Sequence, residues 1–216
     1  MTIMVSAMTM ISSRALCQNF LANGSFENVN TCTEYHAHCA PAAWFTVSPP
    51  EFVWPRAKDG ERTMSFVYDN VYAPMVKRTF PYTMTLCPLK AGNEYEVSFW
   101  LYTDKFPFTH LEIMLSAADP ARTPGVIGKT QPSVNLSGSD VVEKDDYGWM
   151  LLRKKFRVEE GKNFFMVGNM LLPEPFPLGL GKKLKIAYGN IVFWMDDISL
   201  SPTDSTEKLC SWAAFR

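Results

Sequence analysis

The chain has 216 residues, enough for one sizeable core, and its 47% hydrophobic and 20% charged content is that of an ordinary globular protein. Twenty-one basic residues against 22 acidic ones leave a formal charge of −1, which lacks the basic excess that nucleic-acid binding needs. No uninterrupted apolar run reaches the ~18 residues of a transmembrane helix. Aromatic residues at 13%, with 15 Pro and 12 Gly scattered along the chain, favour short strands joined by many turns.

Met1 to Ser13 is uncharged and mildly apolar, and Ala15-Leu16-Cys17 follows with small residues suited to cleavage. Residues 1–17 therefore read as a signal peptide or leader, 18–202 as the folded domain and 203–216 as a C-terminal tail. Loss of Cys17 leaves four cysteines, an even count that suits an oxidising compartment and a secreted or cell-surface protein. Cys32 and Cys39 enclose a short polar loop and are the preferred pair, which leaves Cys87 with Cys210, although four cysteines allow three pairings. His36 and His38 in that loop also raise a zinc site, but no usual zinc motif crowds four ligands into so short a stretch. A disulfide is the preferred reading.

Strands are predicted at Trp44–Val47, Met64–Tyr68 and Tyr82–Cys87, with Pro88 and Gly92 as punctuation before the most legible segment. In Glu94–Thr103, Tyr95, Val97, Phe99 and Leu101 fall on one face, and Glu96, Ser98, Trp100 and Tyr102 on the other. Strict alternation of this kind is a half-buried antiparallel strand. Residues 104–109 have hairpin length and lead to a strand in which Leu111, Ile113 and Leu115 alternate with His110, Glu112 and Met114. Ala117–Asp146 reads as a long polar loop, followed by strands at Trp149–Val158 and Asn163–Val167. A second loop, Leu171–Lys183, precedes Leu184–Tyr188 and Ile191–Leu200. No helical periodicity competes with this pattern, so an all-β, antiparallel sandwich or barrel is expected.

Two sequence ends carry a more specific signal: Asn23-Gly24-Ser25-Phe26-Glu27 near the start and Met195-Asp196-Asp197-Ile198-Ser199-Leu200 near the finish. Leu89-x-x-Gly92-x-x-Tyr95-x-Val97-Ser98-Phe99, and Trp149 followed by Phe156, Gly161 and Gly168-Asn169, lie between them in order. Together these motifs resemble the calcium-containing carbohydrate-binding modules and their galactose-binding-like relatives, of the kind found on bacterial surface proteins. The resemblance spans about residues 19–200. It implies a two-sheet antiparallel jelly-roll β-sandwich in which first and last strands pair. It also implies a structural Ca²⁺ that braces the termini away from the ligand. In the last strand Trp194, Asp196, Ile198 and Leu200 share a parity, which turns Asp196 toward the core. A lone inward carboxylate is costly unless paired or bound to a cation. With Glu27 it would supply oxygen ligands for Ca²⁺; hydrogen bonds from a neighbouring loop's amides are the alternative.

For a glycan or cell-surface polysaccharide ligand, the candidate platform is Trp100 and Tyr102 with Glu96, completed by His110 and Glu112 on the next strand. A structural or adhesive domain binding protein is the competing reading. A hydrolase is the third, and no motif supports it. G-x-S-x-G, H-E-x-x-H and the phosphate loops are missing, and Asp196 and Asp197, adjacent in a strand, point to opposite faces. A non-catalytic binding module is the expectation.

Overall fold

The computed structural model describes residues 18–28, 43–46, 57–68, 81–103, 110–120, 122–123, 132–171 and 191–210. Among them run ten strands: β1 (Trp44–Thr46), β2 (Met64–Tyr68), β3 (Pro81–Leu89), β4 (Glu94–Thr103) and β5 (His110–Ser116), then β6 (Val134–Ser137), β7 (Val141–Lys144), β8 (Met150–Arg157), β9 (Lys162–Leu171) and β10 (Ile191–Pro202). They form two five-stranded antiparallel sheets, in the orders β1-β3-β9-β5-β6 and β2-β10-β4-β8-β7. This is a two-layer sandwich with jelly-roll crossings between sheets, as the sequence implies. The predicted strand at Leu184–Tyr188 and the Cys32–Cys39 pair lie outside the described residues.

The alternation of β4 holds as read: Tyr95, Val97, Phe99 and Leu101 are fully buried between the layers. Leu111, Ile113 and Leu115 of β5 meet them from the other side in the same core. The expected hairpin between these strands is not made. β4 pairs with β10 and β8, whereas β5 pairs with β9 and β6 in the opposite sheet. Period-two alternation tells which face of a strand is buried but not which neighbour it takes, and consecutive strands of a sandwich often change sheets.

The stretch read as one long loop, Ala117–Asp146, contains β6, a 3₁₀ turn at Gly138–Asp140 and β7. Both strands are four-residue edges, and their short polar character hides them from a periodicity search. Val134 and Leu136 give β6 its buried side.

The two ends of the domain run side by side. Phe20 N donates to Leu200 O at 2.7 Å and Ile198 N to Gly24 O at 2.9 Å, while the Asn19 amide side chain bonds both Ile198 O and Leu200 N. Phe20 O accepts from Leu86 N, and Leu21 bridges Thr85, so this segment ties β10 of one sheet to β3 of the other. Asn23 adopts φ 49° and its side chain closes a turn on Asn28, which lets Phe26 enter the core against Trp44 at 5.3 Å. Asn tolerates this left-handed geometry better than most residues.

The C-terminal stretch is held beyond the last strand. The buried Glu207 carboxylate accepts from Tyr95 Oη at 2.8 Å and Asn93 Nδ2 at 2.6 Å, and Leu209 N donates to Gln18 Oε1. Burial and the adjacent Glu207 charge push the Tyr95 hydroxyl up to about 12. Cys87 and Cys210 form a disulfide, one of the pairings open at the level of sequence.

Candidate functional site

The outer face of the β2-β10-β4-β8-β7 sheet carries aromatic side chains where solvent-facing polar residues are usual. Register explains their meeting: Trp194 of β10 stands opposite Tyr102 of β4, and Trp149 directly precedes β8 where Met150 pairs with Leu101. The Tyr102 ring lies 5.4 Å from Trp194 and 5.6 Å from Trp149. The exposures of Tyr102, Trp149 and Trp194 are only 9%, 4% and 7%, and Trp100 packs half-buried beside them. Trp194 Nε1 is buried with no hydrogen-bond partner among the described residues.

Trp100 is covered on one face. Lys58 Nζ sits 4.3 Å from its ring centroid and pairs with Asp145 Oδ2 at 2.8 Å. The ammonium gains from the ring's negative face as well as from the carboxylate. Asp145 in turn shapes the β7–β8 turn, its Oδ1 accepting from Tyr147 N and Trp149 N. Burial pulls the Asp145 carboxyl upward, but Lys58 and these amides outweigh it and hold the group below the usual range. At the turn's tip Tyr147 is 82% exposed. Away from the rings, the same face continues through Ser98, Glu96, Arg153, Lys155 and Arg157, with Arg153 Nε 3.5 Å from Glu96 Oε1.

The sequence-derived platform is thus divided. Trp100, Tyr102 and Glu96 share this face, but His110 and Glu112 pair with each other at 3.4 Å on β5 of the opposite sheet. Their inclusion followed from the hairpin that the chain does not make. Lys58, Tyr147, Trp149 and Trp194 were not among the predicted site residues. Trp194 shares the parity that the sequence turns toward the core, and the bulge at Asp197 puts it on the outer face instead, whereas Lys58 arrives from a loop that no periodicity marks.

Asp196 also departs from its expected place. Phe193 and Met195 face the core, yet so do Ile198 and Leu200, because one extra residue enters β10 between the pairs Asp196–Trp100 and Ser199–Ser98. Asp197, at φ 48°, sits in this bulge, which reverses the inward parity. Asp196 therefore belongs to the outer face with Trp194, and is fully buried there by the 57–62 loop. Its Oδ2 accepts from Lys58 N at 2.8 Å and Asp59 N at 3.4 Å, and its Oδ1 from Asp197 N. Glu27 grips the same loop from the other end, Oε1 accepting from Glu61 N at 3.0 Å and Arg62 N at 2.9 Å.

Glu27 and Asp196 thus meet through a shared loop. Three of their four carboxylate oxygens receive amide hydrogens. Among the described residues no three His, Cys, Asp or Glu side chains are disposed to hold a metal. Both carboxylates hold the 57–62 loop through its backbone amides.

Burial pushes the Asp196 carboxyl up to about 6, against the pull of the Lys58, Asp197 and Asp59 amides. The fold therefore favours its protonated form. This contribution is complete below the ordinary 3.8 and lost as pH rises through about 6, a swing of about 3 kcal/mol. Asp196→Asn, which stays neutral, removes that slope. Urea unfolding from pH 3.5 to 6.5 should show wild type losing up to about 3 kcal/mol relative to the variant. Parallel profiles for the two proteins refute the assignment.

No family model and no curated protein matches the chain. Among solved structures it is similar to the CBM22-1 xylan-binding domain of Xyn10C from Paenibacillus barcinonensis, at 12% identity and TM-score 0.47 over 87% of this chain and 96% of that one. It is similar too to a putative sugar-binding protein from Bacteroides thetaiotaomicron, at 13% identity and TM-score 0.47 over 86% and 100%. A third is the K1 cleaved adhesin domain of Lys-gingipain from Porphyromonas gingivalis, at 11% identity and TM-score 0.44 over 83% and 96%. These are distant likenesses. The fold assignment rests on the two sheets themselves.

Proposed function

We propose that the chain is a non-catalytic glycan-binding module of a secreted or cell-surface protein, using the outer face of the β2-β10-β4-β8-β7 sheet. One observation carries the reading: four aromatic side chains gather on the face turned away from the core, beside a polar and charged strip. Sugar rings present C–H faces that stack on aromatic surfaces, while hydroxyls seek polar partners nearby. The half-buried Trp100 and the exposed Tyr147 are the stacking surfaces. Tyr102, Trp149 and Trp194 back Trp100 from the same face. Lys58 lies over Trp100, so a sugar at that ring displaces or shares its ammonium.

Trp100→Ala should weaken polysaccharide binding about tenfold or more on a glycan array and by calorimetry, with the melting temperature monitored alongside. Binding that survives both Trp100→Ala and Tyr147→Ala removes the platform. Repeating the melt with EDTA separates two braces for the joined ends. A calcium-held end loses stability on chelation, and an end held by amides alone does not.

A second reading has its own observation. Three of the four rings are nearly closed to solvent, which suits packing in a structural or adhesive domain that binds protein. Silence across a broad glycan array, with the fold intact, selects it.

A further inference from the structure

Strand β8 contains the run Arg153-Lys154-Lys155-Phe156-Arg157. Its side chains separate by parity. Lys154 turns inward to Asn135 O at 2.7 Å and Asp140 Oδ2 at 3.1 Å, where its charge is satisfied. Arg153, Lys155 and Arg157 are exposed, at a spacing along the strand of about 6.7 Å. They occupy the same outer face as the aromatic cluster: Trp100 pairs with Leu151, and Arg153 follows two residues along, opposite Ser98.

Glu96 and Glu94 stand directly across from Lys155 and Arg157 on β4, yet neither cation makes an ion pair among the described residues. Arg153 reaches Glu96 only through Nε at 3.5 Å, with its own side chain 49% exposed. A row of three exposed cations, two of them without an ion pair among the described residues, beside a half-open indole stands out on a chain whose net charge is −1. Guanidinium groups bind carboxylate and sulfate through paired N–H donors, and a strand row presents such groups at regular intervals to an extended anionic chain.

We propose that the ligand is an anionic polysaccharide, laid along β8 with a sugar ring at Trp100 and successive acidic groups on Arg153, Lys155 and Arg157. This rests on the glycan-binding reading and adds the ligand's chemical class. The shared chemistry is a polymer-borne anion, from uronate carboxylate or sulfate ester.

Affinity electrophoresis of the full chain in gels containing polygalacturonate, a sulfated galactan or neutral β-xylan tests it and separates the two sources. Retardation is expected in at least one anionic gel, weakening as salt is raised, and at least tenfold less in Lys155→Gln/Arg157→Gln. A control of equal charge, Lys90→Gln/Lys208→Gln, should retain wild-type affinity. Equal losses in both variants mean general charge attraction and overturn the site. Binding to neutral xylan alone, untouched by either variant, overturns the proposal but leaves the glycan-binding function standing. No retardation in any gel removes that function, and this inference with it.

Discussion

Replacing Cys87 and Cys210 together with serine should lower stability by about 3–5 kcal/mol, seen as a fall in melting temperature of roughly 6–15 °C. The bond closes a loop of sequence separation 123, so its loss frees a long stretch of unfolded chain. More than chain entropy is at stake. The segment ending at Cys210 presents Glu207 to Tyr95 Oη and Asn93 Nδ2. If the segment lifts away, the Tyr95 hydroxyl loses its acceptor in a site where an unpaired polar group is expensive. Non-reducing thermal melts of the double variant and wild type measure the difference. A change smaller than about 1 kcal/mol means that the hydrogen bonds alone hold the segment.

Gly24→Ala should be comparably damaging for a different reason. A Cβ at this position would collide with the Ile198 carbonyl oxygen and lie 2.9 Å from Asn19 Nδ2. Both atoms belong to the pairing of the domain's two ends, so neither can withdraw without breaking it. A cost of about 3 kcal/mol or more is expected from urea unfolding. Gly138→Ala, where an added methyl meets nothing within 4 Å, is the matched control and should stay within ~0.5 kcal/mol of wild type. Similar costs for the two substitutions count against the role given to Gly24.

These positions show what could be read in the sequence. Asn23-Gly24-Ser25-Phe26-Glu27 is legible because four of its five residues have separate duties: a left-handed turn at Asn23, a close backbone approach at Gly24, a buried ring at Phe26 and a carboxylate on a loop at Glu27. The inward side of β4 is legible because alternation is a local property. The sheet to which β5 belongs is not, since sheet membership is decided by long-range pairing. Asp196 was misplaced by one inserted residue, and a bulge leaves no mark on composition. Trp100 and Tyr102 were found on one face as predicted, but their unequal exposure depends on Lys58, Trp149 and Trp194, which the fold brings from distant parts of the chain.

The antiparallel seam between residues 19–24 and 198–200 has an architectural consequence. The polypeptide enters and leaves along one border, with Gln18 bonded to Leu209, so a host protein could carry this unit as a side branch. Segments joined at residues 18 and 209 would start close together.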